Sequence, residues 1–134
     1  MDTLTPKQRS ERMSRIGPKD TKPELIVRKI VHSMGFRYRL HSRRLPGQPD
    51  LVFASLQKVI FVHGCFWHRH PGCGRMPKSR LDFWESKLRE NRKRDIRNQR
   101  KLVRLEWGFL VVWECELTDE GSVAKRIRAF LEEA

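Results

Sequence analysis

The sequence predicts an α/β fold in which one mixed central β-sheet is flanked by helices. Three observations support this fold class. Hydrophobic patterns typical of helices and of strands alternate along the chain in the order αβββαβα. The run Lys58–His63 is almost entirely apolar, as expected of a central strand covered on both faces. The chain has 134 residues, enough to bury one hydrophobic core, so we expect a single domain over residues 1–134.

A basic arm is predicted at the N-terminus. Residues 1–19 carry four cations before a Gly-Pro break: Lys7, Arg9, Arg12 and Arg15. We expect the arm to gain order on a phosphate backbone; the alternative is a merely frayed terminus.

The first helix is predicted over residues 21–34. Asp20 or Thr21 can cap it, and Glu24 in the first turn interacts favourably with the helix dipole. Apolar residues at helical spacing predict its buried face: Val27, Ile30, Val31 and Met34.

Three short strands follow this helix. Residues 36–40 alternate like a half-buried strand, and residues 50–54 form a second strand after a sharp Pro-Gly-Gln-Pro bend. A tight connection leads to the apolar third strand, Lys58–His63. In an antiparallel hairpin, Asp50 at the start of one strand and His63 at the end of the next lie at the same end of the sheet.

The second half of the chain predicts one or two charged helices over residues 81–107. A fourth, buried strand follows at residues 109–113, and a C-terminal amphipathic helix begins at about residue 120. Between residues 85 and 104, nine Lys or Arg stand against three acids. This run forms either a solvated face or a surface that contacts phosphates.

Overall charge favours a polyanionic partner. Lys and Arg number 29 against 16 acids, for a net charge of +13. Nucleic acid is the expected partner, because each phosphate contact releases condensed counterions. The N-terminus lacks a secretory pattern, and no apolar run approaches the ~20 residues that cross a bilayer. We therefore expect a cytoplasmic protein without a membrane partner, in which the three cysteines form no lasting disulfides.

Ligand chemistry is concentrated in residues 62–73, which hold two cysteines and three histidines. Three cysteines and one histidine commonly close a tetrahedral structural zinc site. The spacing predicts such a site, which would attach the loop to the sheet, with the ligands Cys65, His70, Cys73 and Cys115. Spacing alone leaves His68 open as the histidine ligand, and the alternative to zinc is a set of unrelated buried thiols.

A second candidate site contains Asp50. An Asp that follows Pro is usually a turn residue. Beside His63, however, its carboxylate could hold Mg²⁺ while an imidazole moves a proton.

Adjacent aromatic residues form a third candidate feature. On a regular strand Phe66 and Trp67 would point to opposite faces, and one of them would belong to the core. On a loop held by zinc, both can instead project as wedges between base steps. Trp84 could join them, or it could pack within its own helix against Leu81 and Leu88.

Several motifs together resemble the very-short-patch repair (Vsr) DNA mismatch endonuclease family, over about residues 7–117. They are Leu45-Pro-Gly-Gln-Pro-Asp50-Leu-Val, Val59-Ile-Phe-Val-His63-Gly-Cys-Phe-Trp-His68, Pro77-Lys78, Phe83-Trp84 and Trp113-Glu-Cys115. Phe61-Val62-His63 stands where the wider nuclease superfamily has acid-x-Lys, which is also the Vsr pattern. Two residues separate His70 from Cys73, where some members have one.

The resemblance implies a restriction-endonuclease-like fold and a strand-nicking activity. Members of the family nick DNA 5′ to the T of a T·G mispair, which arises when 5-methylcytosine deaminates. The implied partners are double-stranded DNA with such a mispair and a functionally associated cytosine-5 methyltransferase. Nothing in the sequence indicates a dimer, so a monomer is expected.

The resemblance also implies roles for individual residues. Asp50 and the Val62 carbonyl would bind catalytic Mg²⁺, and His68 would be the general base, oriented by Asp95. The other implied sets are the supports of the metal's waters (Glu24 and His63), the structural zinc ligands (Cys65, His70, Cys73 and Cys115) and the intercalating wedge (Phe66, Trp67 and Trp84). The competing hypotheses are a non-catalytic zinc-containing DNA-binding module and a nuclease of the same fold acting on unmodified duplex.

Overall fold

The computed structural model describes residues 21–68, 70, 73 and 80–133. Within these ranges, three α-helices and four β-strands follow one another in the predicted order. They are α1 (Lys22–Ser33), β1 (Arg39–Leu40), β2 (Leu51–Phe53), β3 (Lys58–His63), α2 (Leu81–Arg104), β4 (Gly108–Trp113) and α3 (Glu120–Glu132). The predicted arm at residues 1–19 lies outside the described residues.

Helix α1 forms as its sequence signals predict. The Thr21 hydroxyl accepts a hydrogen bond from the Glu24 N–H at 3.4 Å, so Thr21 is the N-cap. Gly35 follows the helix with φ +83°, a conformation that favours glycine. The predicted stripe packs into the core, with two residues buried and two partly buried: Val27, Val31, Ile30 and Met34.

The four described strands form one mixed sheet in the order β1-β2-β3-β4. Strand β2 is antiparallel to both β1 and β3, whereas β3 and β4 are parallel. The start of β2 and the ends of β3 and β4 therefore lie at the same end of the sheet. Asp50, His63 and Trp113 meet there, so this end brings together groups that are distant in sequence.

The first strand is shorter than predicted. Alternation predicts a strand over residues 36–40, but only Arg39–Leu40 pairs with β2. Strand β2 itself spans three residues, one fewer at each end than predicted, and a 3₁₀ turn follows it at Ala54–Leu56. Residues 36 and 37 therefore have no strand opposite them. Phe36 and Tyr38 instead place their rings 6.5 and 6.1 Å from the ring of Phe53.

Side chains pack on both faces of the sheet. Helices α1 and α3 cover one face, where Ile60 and Val112 are fully buried. Helix α2 covers the other face, where Leu102 packs against Val59 and Phe61. Because β3 contributes to both layers, its prediction as a central strand is confirmed. None of the helices in the described part of the chain is long and apolar enough to cross a membrane.

Helix α2 is one continuous helix of 24 residues rather than two. It ends at Arg104, three residues earlier than predicted, because the chain turns through Glu106 at φ +63°. Leu88 and Leu102 are both buried, Leu102 against the sheet, and each lies seven residues from Asp95. At 3.6 residues per turn, this spacing also directs Asp95 toward the sheet.

Strand β4 has one neighbour among the described strands, and side chains cover its free edge. The Trp113 N–H donates to Glu116 at 2.9 Å, and Arg126 donates to the Val111 carbonyl at 3.2 Å. Glu116 and Arg126 also form an ion pair. These contacts protect the edge from pairing with another chain. They also hold the short 3₁₀ turn that carries Cys115.

Candidate active site

Asp50 precedes β2, and its carboxylate contacts the end of β3. Its Oδ2 accepts a hydrogen bond from the Val62 N–H at 2.7 Å. Burial raises the pKa of Asp50 to about 6, although that hydrogen bond and the nearby His41, His68 and Arg28 act in the opposite direction. A cation beside a buried carboxylate stabilises its charged form, and a hard oxygen donor suits Mg²⁺. Asp50 therefore fits a divalent cation; the Val62 carbonyl as a second ligand stays a prediction.

Two stacked histidines lie next to Asp50 at the end of β3. The rings of His63 and His68 are 3.7 Å apart and nearly parallel, with 4° between their planes. Burial, followed by repulsion from His68, lowers the pKa of His63 to about 3, so its imidazole is neutral at pH 7. Within the described part of the chain, the buried Nδ1 atom of His63 has no hydrogen-bond partner.

His68 makes the contact expected of an oriented base. Its Nδ1 lies 2.6 Å from Oδ2 of Asp95 on helix α2. An Nδ1–H that donates to a carboxylate leaves Nε2 as the basic nitrogen of the neutral ring. The structure thus pairs His68 with Asp95 and leaves His70 to the cysteines.

A buried carboxylate and a histidine complete this end of the sheet. Glu24 is 1 % exposed, and His41 Nε2 lies 2.9 Å from each of its carboxylate oxygens. Arg28 forms an ion pair with the same carboxylate. Donor atoms of Glu24, His41 and Asp50 lie within 4.8 Å of one another. Glu24 thus belongs to the site, beyond its contribution at the N-terminus of α1.

Sequence reasoning missed His41, although a signal for it exists. The His41 N–H donates to the Asp50 carbonyl at 3.1 Å, next to the paired residues Leu40 and Leu51. The first predicted strand ends at residue 40 and the second begins at Asp50, so a hairpin drawn between them places residue 41 close to Asp50. Extending the predicted pairing by one residue would have found it.

The four predicted zinc ligands form one cluster, which joins the segment after β3 to the turn after β4. Donor atoms of Cys65, His70, Cys73 and Cys115 lie within 4.8 Å of one another, with Cys115 Sγ 3.5 Å from His70 Nδ1. Burial and the neighbouring thiols raise the pKa of Cys65 to about 12, and burial also raises the pKa of Cys115. A bound cation would replace the thiol protons, and this donor set matches tetrahedral zinc. Residues 71–72 and 74–79 lie outside the described residues.

The three predicted wedge residues form one aromatic cluster. Phe66 lies 5.1 Å from Trp67 and 5.5 Å from Trp84, measured between ring centroids, and the two tryptophans are 6.1 Å apart. Trp67 is 51 % exposed. Trp84 therefore contacts the aromatic residues of the loop, which is the first of the two interpretations that the sequence allowed. The predicted wedge did not include Phe83, an exposed ring 5.3 Å from Trp84.

Helix α2 presents its charges to solvent. The nine cations counted between residues 85 and 104 are all exposed: Lys87, Arg89, Arg92, Lys93, Arg94, Arg97, Arg100, Lys101 and Arg104. The helix that positions Asp95 and Trp84 therefore also carries a positive surface beside the site. This arrangement suits a phosphate backbone better than a neutral ligand.

Comparisons with known proteins agree with this geometry. The family model described as DNA mismatch endonuclease Vsr matches residues 1–74. A type II nicking enzyme, V.XorIIP of Xanthomonas oryzae pv. oryzae, is 49 % identical over 98 % of this chain and 97 % of its own. The DNA mismatch endonuclease Vsr of Escherichia coli is 39 % identical over 84 % of this chain and 77 % of its own.

A solved structure supports the fold. The catalytic domain of the homing endonuclease I-Bth0305I superposes with a TM-score of 0.59, covering 83 % of this chain and 94 % of that one. The two are 20 % identical, so the likeness concerns the fold alone.

Together, fold and relatives define the class of protein: the chain is a DNA endonuclease with the restriction-endonuclease-like α/β fold. More narrowly, it belongs to the Vsr family of DNA mismatch endonucleases. The resemblance inferred from its motifs is confirmed.

Proposed function

We propose that the protein is a Mg²⁺-dependent endonuclease that nicks one DNA strand 5′ to the T of a T·G mispair and so initiates very-short-patch repair. The observation that carries the proposal is the convergence of Asp50, the His68–Asp95 pair and the aromatic cluster at one end of the sheet. A module that only bound DNA would need the aromatics and cations, but not a buried carboxylate beside a paired histidine.

The geometry supports a catalytic role for each of these residues. Asp50, with the Val62 carbonyl, would hold Mg²⁺, and the cation would supply neutralisation of the charge that develops on the phosphate during hydrolysis. His68 Nε2 accepts a proton from the attacking water while Asp95 holds its ring. A phosphorus–oxygen bond to that water forms as the bond to the leaving oxygen breaks. Neutral His63 stacks on His68 and keeps the ring plane in place.

The aromatic cluster supports a preference for mispairs. Phe66, Trp67 and Trp84 project together from a loop and a helix beside the cations of α2. Inserting rings between base steps costs about a few kcal/mol, and least where the pair is already weak. Unstacking therefore favours a mismatched duplex over a paired one.

Zinc and the partners complete the proposal. Zinc held by the three cysteines and His70 fixes the loop that carries the aromatics. The protein acts as a monomer in the cytoplasm, where thiols remain reduced and free to bind metal. It is associated in function with a cytosine-5 methyltransferase, because deamination of 5-methylcytosine creates the T·G substrate.

A pair of end-labelled duplexes tests this function. One contains a T·G mispair and the other is fully paired, and each is incubated with and without Mg²⁺ in several flanking contexts. We expect a single-strand nick in the mispaired duplex only, dependent on Mg²⁺. Equal nicking of both duplexes would indicate a nuclease of unmodified DNA. Tight binding to both without a nick in any context would indicate a binding module.

Asp95→Asn is expected to lower kcat by about 10²-fold, the lower range for a general base. Asparagine keeps the shape of the side chain but not the charge that orients His68 and stabilises its protonated form. Single-turnover nicking of the T·G duplex measures the effect. Glu90→Gln, the same loss of charge at an exposed position of α2, should leave the rate within about twofold. Equal rates for the two variants would contradict the role of Asp95.

The Mg²⁺ concentration that gives half-maximal nicking should rise steeply below pH 6. The folded Asp50 has a pKa raised to about 6, so the proton-free form that binds a cation predominates only above that pH. We expect the Mg²⁺ concentration for half-maximal nicking to be constant between pH 7 and 8. Below pH 6 it should increase about tenfold per unit, because protons and Mg²⁺ compete for one carboxylate. Mg²⁺ titrations at each pH separate this competition from changes in the maximal rate, and a pH-independent requirement would contradict it.

A further inference from the structure

His41 links the two carboxylates of the site. Its backbone N–H donates to the Asp50 carbonyl at 3.1 Å. Its Nε2 lies 2.9 Å from both Oε1 and Oε2 of Glu24, which belongs to helix α1 and not to the hairpin. One residue therefore connects the strand that carries the cation-binding carboxylate to the helix that carries a second one.

Charge neutralisation alone does not explain this contact. Glu24 is 1 % exposed, and Arg28 on the same helix already pairs with it. A single cation satisfies the charge of a buried carboxylate, but it leaves the group free to rotate about its terminal bond. A donor placed midway between both oxygens, on a different element, fixes the plane of the carboxylate.

We propose that His41 is a positioning residue that holds the Glu24 carboxylate beside the cation position at Asp50. The inference rests on the proposed function, because it assigns His41 to the cation site of the same reaction. His41 acts as a hydrogen-bond donor through Nε2–H and not as a metal ligand. Its Nε2 is engaged by Glu24 and lies 3.3 Å from the Arg28 guanidinium, whose positive charge opposes a metal ion at that nitrogen.

The donor role distinguishes two substitutions at this position. His41→Gln supplies an amide N–H near the position of Nε2, so it should keep Glu24 in place. His41→Leu removes the donor and lets the Glu24 carboxylate turn toward Arg28 alone. Partners that orient groups around a metal typically contribute 10–100-fold in metal affinity. We therefore expect Mn²⁺ affinity to fall by about tenfold in His41→Leu and to stay within about threefold of the parent in His41→Gln.

Mn²⁺ binding to the full chain, without DNA, is measured by electron paramagnetic resonance of the free ion. Asp50→Asn is the reference for a lost site, and His32→Leu, an exposed histidine on α1, is the matched control. Thermal unfolding of each variant reports whether it is folded. Parent affinity in His41→Leu would overturn the proposal, as would equal weakening in His41→Gln and His41→Leu, which would make the imidazole itself a ligand.

If His41→Leu does not fold, Glu24→Gln provides a second test of the inference. This variant retains an acceptor for His41 but removes the negative charge that His41 is proposed to position. It should weaken Mn²⁺ binding at least as much as His41→Leu, and parent affinity in Glu24→Gln would overturn the inference. Parent affinity in Asp50→Asn has a different meaning, because it would overturn the proposed cation site itself.

Discussion

Asp50→Asn is expected to lower the rate of nicking at a T·G mispair by about 10³-fold or more, with DNA binding retained. Cation stabilisation of a phosphoryl transition state provides several kcal/mol, and each 1.4 kcal/mol corresponds to a factor of ten in rate. Asparagine has the same shape and can still accept the hydrogen bond from the Val62 N–H. The substitution therefore removes the charge that binds the cation while leaving the contact between β2 and β3.

Rate and affinity must be measured separately to test this prediction. Single-turnover nicking at saturating protein gives the rate, and gel-shift titration of the same duplex without Mg²⁺ gives the affinity. Glu120→Gln, an exposed acid on α3, is the control for a change of net charge. A rate within tenfold of the parent would remove Asp50 from the cation site. Lost binding with an unchanged rate at saturation would assign Asp50 to DNA recognition instead.

Elements of the fold that depend on local signals could be predicted from the sequence. The cap at Thr21 and the glycine at residue 35 delimit α1, and its apolar spacing identifies the buried face. The apolar composition of Lys58–His63 identifies the central strand. These signals are local because hydrogen bonds within a turn and side-chain periodicity need only neighbouring residues.

Boundaries set by tertiary partners could not be predicted in this way. Residues 36–38 alternate like a strand, but the 3₁₀ turn that follows β2 leaves no strand opposite residues 36 and 37. Residues 105–107 extend a helical pattern, but the chain must turn there to return to β4. In both cases the deciding partner lies elsewhere in the sequence, so local pattern overestimates the length of the element.

The roles of the histidines also depend partly on local spacing and partly on tertiary partners. Spacing predicts a Cys3His cluster, yet it does not distinguish His68 from His70 as the ligand. The distinction depends on helix α2, which brings Asp95 to His68, whereas His70 stacks on Trp113 with a ring separation of 4.1 Å. Local spacing cannot identify Asp95 as the partner of His68, because the two residues are 27 positions apart in the sequence. Only the family resemblance implied this pair.

The zinc cluster and the proposed catalytic groups share one short turn. Cys65 and His70 lie on either side of His68, and the His68 N–H donates to the Gly64 carbonyl at 3.2 Å. The aromatic residues Phe66 and Trp67 belong to the same turn. Whatever fixes Cys65 and His70 therefore also places the general base and the wedge. A structural metal at this position would control catalysis without contacting the substrate.

Cys115→Ser is accordingly expected to have the largest effect on stability. Structural zinc contributes about 10 kcal/mol or more of folding free energy, comparable to the about 5–15 kcal/mol total stability of a typical domain. Without the Cys115 thiolate, three ligands remain on one loop and nothing ties the metal to the turn after β4. We expect the parent to contain one zinc per chain, and the variant to lose the metal together with its cooperative thermal transition.

Elemental analysis and calorimetry of the same samples test this expectation. Thr118→Ala is the matched control, because Thr118 donates to the Cys115 carbonyl at 3.1 Å within the same turn but offers no metal ligand in the cluster. It should keep its zinc and lose at most about 1 kcal/mol, the net value of one hydrogen bond. A parent protein that contains no zinc and still unfolds cooperatively would show that the three thiols serve only in packing. Loss of zinc, of the thermal transition and of nicking together in Cys115→Ser would show that the metal supports the fold on which Asp50 and His68 depend.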